Sequence, residues 1–432
     1  MHIQDELCYT TGTCGNTLFD KKNRMNIRVL MFGWEFPPHN SGGLGTACAG
    51  LAKALTLEPI SLTFVLPKEI KGIDASFLRM IFANMKTLRF RGVETSLFPY
   101  VDVESYADYV RKMPDEAVYG LDLFAEVRRY GLKARDIAED EEFDIIHAHD
   151  WLSFRAGIEA KKVSGKPLVV HVHATEFDRT AGHPNQYIYE EEKVGMQMAD
   201  RVIAISRLTR DTIVQHYGID PAKITVVHNG IDHEQWNKWV PSTLEHLKSQ
   251  GKKIVLFVGR ITIQKGPDYF IRVAKRVIDQ DKNVIFVVSG SGDMETQMIR
   301  LSAELGIGNN VLFAGFARGD DLTRLYRAAD LYVMPSVSEP FGLTPLEALV
   351  NGTPVLISKQ SGVAEVVSHA LKSNFWDVDD MADKILGIVH SDVLRETLKE
   401  HGSREVNQVT WTNAAKSCVD VYRQVLSANA PQ

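Results

Sequence analysis

The sequence predicts an α/β protein built from two parallel sheets in series, and three observations lead to this prediction. Short aliphatic and β-branched runs alternate with helical periodicity from Asn26 onward, which is typical of parallel strands buried on both faces. The alternation stops near residues 231–250 and then begins again. A chain of 432 residues is also long for one core and suits two domains of about 200 residues each.

The first unit contains six predicted strands and a helix expected from Thr46 to Leu55. The strands are the runs at 27–32, 61–67, 143–149, 167–173, 201–206 and 224–230. The stretch 70–140 interrupts the alternation because it is charged, aromatic and largely helical in pattern. We therefore predict an N-terminal domain over 25–230 that carries a helical insertion at about 70–140.

The second unit spans 231–410 and contains five predicted strands, followed by an amphipathic helix from Trp411 to Leu426. The strands are the runs at 254–260, 284–290, 311–315, 331–335 and 354–358. Two such units in series would form a cleft between the carboxyl ends of their strands, where α/β sheets bind ligands.

Composition excludes several classes of partner. A net charge of −6 and a pI near 6.2 argue against nucleic acid, and no apolar run approaches the roughly 18 residues of a membrane span. Residues 1–24 lack a secretory signal and are expected to be a flexible extension, with Met25 a candidate initiator. Four cysteines suggest a reducing compartment, so a cytoplasmic location is expected. The oligomeric state is not readable from the sequence.

The segment SEPFGLTPLE contains two glutamates, Glu339 and Glu347, eight positions apart. The strand 331–335 ends at Pro335, and a helix is predicted to start near Thr344, which leaves a strand-to-helix loop with free backbone N–H groups. Such a helix start binds anions. Since two carboxylates would repel a bare phosphate, a ligand that carries both phosphate and hydroxyls, such as a nucleotide sugar, fits better.

Two further loops carry candidate binding groups. Arg260 follows a predicted strand and Lys265 follows five residues later; at a strand end these cations suit the charge that develops on a leaving diphosphate. After the first strand, glycines permit close approach of backbone to a ligand before a helix. These glycines are Gly42, Gly43 and Gly45.

Four histidines close two strands of the first unit, in HAHDW (147–151) and HVHATEFDR (171–179). We expect one member of each pair to face the interior of the sheet. The spacing matches no recognised zinc motif, so no metal is predicted. Side chains at these strand ends can instead contact sugar hydroxyls.

These motifs together resemble the retaining GT-B glycosyltransferases of family 4, and in particular the bacterial and archaeal glycogen or starch synthases. The resemblance rests on WEFPPHNSGGLG, HAHDW, GRITIQKG and EPFGLTPLE in this order, and it covers the chain from about Met25 to Leu426. It implies two Rossmann-like domains that face each other across a cleft, with the segment 411–432 crossing back to the N-terminal domain.

The resemblance also implies roles for individual residues. Arg260 and Lys265 would bind the donor diphosphate, Glu339 would lie at the donor sugar, and Glu347 would contact the ribose. The role of the active-site histidine would belong to His149. Backbone groups of the donor site would come from Gly342, Leu343 and Thr344, from the glycine loop around Gly43, and from the base-side loop at Phe316.

The implied activity is metal-independent transfer of a sugar, expected to be glucose, from an ADP- or UDP-sugar to an α-glucan, with retained configuration and without a cofactor. Two alternatives stay open: a family 4 transferase that acts on a sugar phosphate or a lipid-linked glycan, and a non-catalytic protein that binds sugar nucleotides. Glycogen synthases usually carry HDWH where this chain has Leu152, which leaves the acceptor open.

Overall fold

The computed structural model describes residues 26–38, 43–69, 72–73, 76–83, 123–236 and 244–429, apart from the side chain of Glu245. Within these residues the strands are β1 Ile27–Phe32, β2 Ile60–Leu66, β3 Arg79–Phe82, β4 Ile145–His149, β5 Leu168–Val172, β6 Arg201–Ala204, β7 Ile224–Val226, β8 Lys253–Val258, β9 Val284–Ser289, β10 Val311–Gly315, β11 Leu331–Met334, β12 Val355–Ser358 and β13 Leu371–Ser373.

The helices of the described residues fall between and after these strands. The α-helices are α1 Gly43–Leu55, α2 Leu123–Asp140, α3 Asp150–Ser164, α4 Glu176–Arg179, α5 Gln186–Met198, α6 Arg207–Thr212, α7 Glu245–Ser249, α8 Pro267–Ile278, α9 Glu295–Glu304, α10 Gly319–Ala328, α11 Leu343–Val350, α12 Val378–His390, α13 Asp392–Val406 and α14 Trp411–Ala428. Short 3₁₀ or π segments are Ile213–Tyr217, Pro221–Lys223, Glu234–Trp236, Ile263–Lys265, Gly308–Asn310 and Gly362–Glu365.

Both sheets are parallel, and both follow the same winding. The described strands of the first sheet have the order β3-β2-β1-β4-β5-β6-β7, and those of the second have the order β10-β9-β8-β11-β12-β13. In each sheet the chain runs to one side from the first strand and then returns to continue on the other side. The direction therefore switches between β1 and β4 and between β8 and β11, which are the points where such sheets bind ligands.

Each sheet is covered on both faces by apolar side chains. On one face of the first sheet, Tyr130 of α2 and Trp151 of α3 are buried, and the hydroxyl of Tyr130 donates to the backbone oxygens of Gly33 and Val65. The four central strands of the second sheet, β9, β8, β11 and β12, are buried along almost their full length. The predicted α/β class with two parallel sheets is thus confirmed.

The last helix packs on the first sheet rather than on the second. Trp411, Cys418 and Tyr422 of α14 share a core with α1. The contact at Gly230 is so close that a Cβ atom there would lie 2.1 Å from the backbone nitrogen of Trp411. Only glycine fits at this position, where the chain from the second sheet returns to the first.

Two local expectations differ in part from the structure, and a third falls outside the described residues. The predicted helical insertion at 70–140 falls partly on residues 84–122, outside the described residues, while its described ends are strand β3 and helix α2, which belong to the sheet and its helix layer. Helix α1 begins at Gly43, three residues before the predicted start. The extension 1–24 lies outside the described residues. Among the described helices, none combines the length and hydropathy that a bilayer span requires.

Candidate functional site

A cavity of about 870 Å³ lies between the two sheets at the carboxyl ends of their strands. Both sheets contribute to its walls, through Pro38 after β1 and Arg260 after β8, for example. The cavity therefore occupies the position at which both winding directions switch. Nine of the twelve predicted site residues line it: Gly43, Arg260, Lys265, Phe316, Glu339, Gly342, Leu343, Thr344 and Glu347.

Glu339 is held rigidly in the loop between β11 and α11. Its backbone N–H donates to the oxygen of Gln360 over 3.0 Å, and its own oxygen accepts from the N–H of Gly362 over 2.9 Å. The Glu339 side chain is 7% exposed. One carboxylate oxygen pairs with the Lys265 ammonium and accepts from the Ser336 hydroxyl over 3.2 Å. The carboxylate is thus fixed in the wall of the cavity.

The two predicted cations flank this carboxylate. Arg260 lies two residues past the end of β8, and Lys265 ends the 3₁₀ turn Ile263–Lys265 before α8 begins. Both side chains line the cavity, so the loop after β8 presents two positive charges at one edge of it. Fixed cations in such a cleft favour negatively charged ligand groups.

The amino end of α11 opens onto the same cavity. Its first residues, Leu343 and Thr344, line the cavity, and the Thr344 hydroxyl accepts a 2.7 Å hydrogen bond from Tyr332. Gly342 precedes the helix with φ of 101°, and a Cβ atom there would lie 3.2 Å from the Cγ of Glu339. The glycine is therefore needed both for the turn and for the space beside the carboxylate.

Glu347 lies one turn into α11 and lines the cavity. Its carboxylate accepts a 2.8 Å hydrogen bond from the hydroxyl of Tyr326. Burial raises the pKa of Glu347 to about 7, because the charged form loses water without gaining a cation. This carboxylate therefore changes charge near neutral pH, and it offers oxygen acceptors to ligand hydroxyls above that pH.

The base-side and glycine-loop residues have different positions. Phe316 is 58% exposed at the cavity, with the guanidinium of Arg318 4.7 Å from its ring centre. Gly43 is the first residue of α1 and faces open space. Gly45 is buried inside the first turn of α1 and does not line the cavity, because the helix begins earlier than expected. Gly42 lies outside the described residues.

The histidine at the cavity is His173 and not His149. His149 is the last residue of β4 and is followed directly by α3, so its ring is fully buried. His173 lies one residue past β5 and is followed by a loop, which leaves it at the cavity surface. The Nδ1 atom of His149 lies 2.9 Å from the Nε2 atom of His173, so the predicted residue supports the one that reaches the site.

The expectation that each histidine pair splits between the two faces was wrong. Residues two apart on a strand share a face, and the four rings stack, with centroids 4.4 Å apart for His147 and His149 and 4.3 Å apart for His171 and His173. Burial lowers the pKa of His147 and of His173 to about 3. The stack is therefore uncharged at neutral pH.

Nitrogens of His147, His149 and His171 lie within 4.8 Å of one another, as do ligand atoms of Cys48, His149 and His173. Neighbouring rings within the stack are inclined by only 12° to 33°. Nearly parallel rings direct their lone pairs side by side, whereas zinc ligands converge on one point. The absence of a metal stays a prediction.

Hydrogen bonds also join the two domains near Glu339 and at Glu365, and these contacts were not predicted. The Ser338 hydroxyl, next to Glu339, donates to Asp178 over 2.6 Å. The Glu365 carboxylate accepts from the backbone N–H groups of Arg207 and Leu208 over 2.9 and 3.0 Å. The partners in each contact are more than 150 residues apart in the chain, so no local pattern marks them.

Sequence comparisons match both halves of the chain to glycosyltransferase families. Residues 79–235 match the family described as Glycosyltransferase Family 4. Residues 244–405 match the family described as Glycosyl transferases group 1. The first match covers the part of the first sheet from β3 to β7, and the second match covers the second sheet.

Individual proteins extend these matches over most of the chain. A D-inositol 3-phosphate glycosyltransferase of Salinispora arenicola is 31% identical over 320 residues, which cover 67% of this chain and 70% of that protein. The glycogen synthase of Mycobacterium tuberculosis is 28% identical over 359 residues, which cover 79% of this chain and 80% of that protein. The solved sucrose-phosphate synthase of Thermosynechococcus elongatus aligns with a TM-score of 0.73 at 19% identity over 93% of this chain and all of that chain, and this likeness shows the shared fold.

Proposed function

Because this chain belongs to the family 4 glycosyltransferases with a GT-B fold, we propose that it transfers glucose from ADP- or UDP-glucose to an α-glucan with retention of configuration. The observation that carries the proposal is the pair of Lys265 and Glu339 in the wall of the cavity between the two domains. A carboxylate beside fixed cations suits a ligand that joins a sugar to a diphosphate.

Each end of the donor has a matching group in the proposed complex. The diphosphate lies against Arg260, Lys265 and the amino end of α11, which together stabilise the charge that develops on the leaving group. Glu339 accepts hydrogen bonds from hydroxyls of the transferred sugar, and Glu347 accepts them from the ribose. Phe316 lies against the nucleobase of the donor.

Transfer with retention requires attack and departure on the same face of the sugar. In the proposed reaction the acceptor hydroxyl forms the new bond to the anomeric carbon while the bond to the donor phosphate breaks. The acceptor's proton passes to the leaving phosphate oxygen, so the leaving diphosphate itself acts as the base. His173, uncharged at neutral pH, contacts the donor sugar or acceptor hydroxyls in the position earlier expected for His149.

A neutral acceptor fits the described walls of the cavity. The described residues of the first domain that line it include one cationic side chain, Lys53, which is paired with Asp232 over 3.1 Å. A phosphorylated acceptor gains from unpaired cations, and this side of the cavity offers none within the described residues. The similarity to a glycogen synthase supports the same choice.

A second candidate is transfer to a sugar phosphate. It is favoured by the 31% identity to a D-inositol 3-phosphate glycosyltransferase. Binding of a phosphorylated acceptor would require further cations, and these would have to come from residues outside the described ranges.

One panel of reactions tests the proposal. ADP-, UDP- and GDP-glucose are each incubated with glycogen, maltotriose, fructose 6-phosphate and inositol 3-phosphate, and products are identified by mass. We expect ADP- or UDP-glucose to extend glycogen and maltotriose. Transfer to the phosphorylated acceptors alone would support the second candidate instead, and the absence of transfer from every donor would support a non-catalytic binding protein.

A further inference from the structure

A second cavity, of about 580 Å³, lies on the far side of the loops that carry Lys265 and Glu339. Ile263 and Val337 line this cavity, whereas Lys265 and Glu339 line the first one. The two loops are tied together by a 2.9 Å hydrogen bond from the Val337 N–H to the Gln264 oxygen. The same pair of loops thus forms a wall shared by both cavities.

The second cavity combines aromatic rings with planar polar groups. Tyr269 and Phe375 meet edge to face at 5.2 Å, and Trp376 beside them is 56% exposed and 4.8 Å from Phe375. Gln297 of α9 also lines the cavity. Aromatic surface with hydrogen-bonding groups around it suits ligands that have both apolar faces and hydroxyl edges, as sugar rings do.

The charges around this cavity identify the kind of ligand. Arg272 and Arg300 line it together with Asp268 and Glu304, so its formal charge sums to zero. Among the described residues, neither arginine takes part in an ion pair or a side-chain hydrogen bond, which leaves their N–H groups for a ligand. The carboxylates of Asp268 and Glu304 line the same cavity and offset the charge of the two arginines, so the site has no net attraction for a phosphate or a nucleotide. It offers both donors and acceptors to neutral hydroxyls.

We propose that this second cavity is a binding site for a neutral glucan chain, separate from the reacting groups. This inference rests on the proposed function, since a glucan is the acceptor that the first cavity is proposed to extend. Binding here holds a long acceptor on the enzyme through sugar units that do not react. Short acceptors, which cannot reach both cavities, gain nothing from it.

Two variants test the site in different ways. The double variant Arg272→Ala/Arg300→Ala removes two exposed hydrogen-bonding groups, and Gln297→Trp fills the cavity from an exposed helix position. The matched control is Arg276→Ala, which lies one turn further along α8, is exposed and pairs with Asp379 on the surface. None of these residues lines the first cavity.

The measurement is affinity electrophoresis of the full chain in native gels that contain glycogen, with dextran gels as the negative control and without any donor. We expect both test variants to bind glycogen about tenfold more weakly than wild type and the Arg276→Ala control to bind like wild type. Turnover on maltotriose should stay within about twofold for all of them.

The outcomes separate this inference from the proposed function. If wild type extends glycogen and both test variants are retained as strongly as the control, the second cavity is not a glucan site and the proposed function stands. If wild type transfers no sugar to glucan but is retained by glycogen through this cavity, the site stands and the proposed function is wrong. If glycogen retains no protein at all, the inference is overturned.

Discussion

At the scale of single residues, the site depends on charges held where water has little access. The side chains of Lys265 and Glu339 are 24% and 7% exposed, and they form an ion pair in the wall of the cavity. Removing one partner of such a pair leaves the other charge without compensation. In the proposed complex the donor phosphate binds Lys265 and the sugar hydroxyls bind Glu339. The ion pair holds both side chains in position before the ligand binds.

Replacing Glu339 by Gln should reduce kcat by about 10²- to 10³-fold, the effect of losing one well-placed polar group at a reacting centre. Thermal unfolding should show that the variant is folded. The control is Glu396→Gln, which removes a surface ion pair with Lys399 and should leave kcat unchanged. Full turnover of Glu339→Gln with every donor that binds would contradict the assigned role.

Glu347 should make donor use depend on pH. Its pKa of about 7 means that the carboxylate is charged above pH 7 and becomes protonated below it. In the proposed complex the charged form accepts hydrogen bonds from the ribose hydroxyls. We expect kcat/KM for the donor to fall as the pH drops through about 7, and Glu347→Gln to remove this limb of the profile. A wild-type profile that is flat between pH 5.5 and 8 would refute the assignment.

The same carboxyl should also affect the stability of the fold, which should decrease as the pH rises, whereas donor use should increase. Since the pKa of Glu347 is higher in the folded chain than its ordinary value of 4.5, the free energy of unfolding decreases as the pH rises from about 4.5 to 7. Glu347→Gln should therefore be more stable than wild type at pH 8, by about 1–3 kcal/mol, and equally stable near pH 4.5. Denaturant unfolding at the two pH values measures the difference.

At the scale of elements, the loops after β11 and β5 determine which groups reach the cavity. Ser338 of the first loop donates to Asp178, which follows the second, over 2.6 Å. Asp178 also accepts from the backbone N–H and the hydroxyl of Thr175, both over 2.8 Å. The loop that carries Glu339 is thus tied to the opposite domain through one carboxylate.

Ser338→Ala should lower kcat/KM by about tenfold, since a hydrogen bond to a charged group contributes about 1.5–3 kcal/mol and here positions the loop of Glu339. The control is Ser249→Ala, which loses only a local bond to the backbone oxygen of His246. Equal kcat/KM for the two variants would show that the contact between the domains does not position the loop.

Local patterns explain which elements were predictable. The eleven predicted strands are hydrophobic runs, and most of them are buried. The two missed strands, β3 and β13, have only four and three residues and are largely half-buried or exposed. The loops that carry Glu339 and Lys265 were predictable because each follows a hydrophobic strand. His173 was not, because the choice between it and His149 depends on whether a loop or a helix follows the strand. The contact of Ser338 with Asp178 depends on the packing of two domains, which no local segment records.

At the scale of the whole molecule, the two domains meet through few polar contacts around a large cavity. Glu365 of the second domain accepts hydrogen bonds from two backbone N–H groups at the start of α6 and lies 2.9 Å from the Nε2 atom of His228. The helix α14 returns to pack on the first domain. The arrangement holds the cations of one domain and the histidine of the other around a single ligand volume.

Because Arg260, Lys265 and the start of α11 stabilise the leaving diphosphate in the proposed reaction, removal of divalent cations should not abolish turnover. Activity in the presence of EDTA should stay within about twofold of the untreated enzyme. A strict requirement for Mn²⁺ or Mg²⁺ would show that these groups do not suffice.

The proposed reaction is retaining transfer of glucose from a nucleotide sugar to a glucan within this cavity. The most direct test is proton NMR of the reaction of ADP- or UDP-glucose with maltotriose, recorded while the product forms. We expect a new α-glycosidic anomeric signal that grows as the donor is consumed. A β-linked product, or donor consumption without any glycosidic product on the glucan, would contradict it.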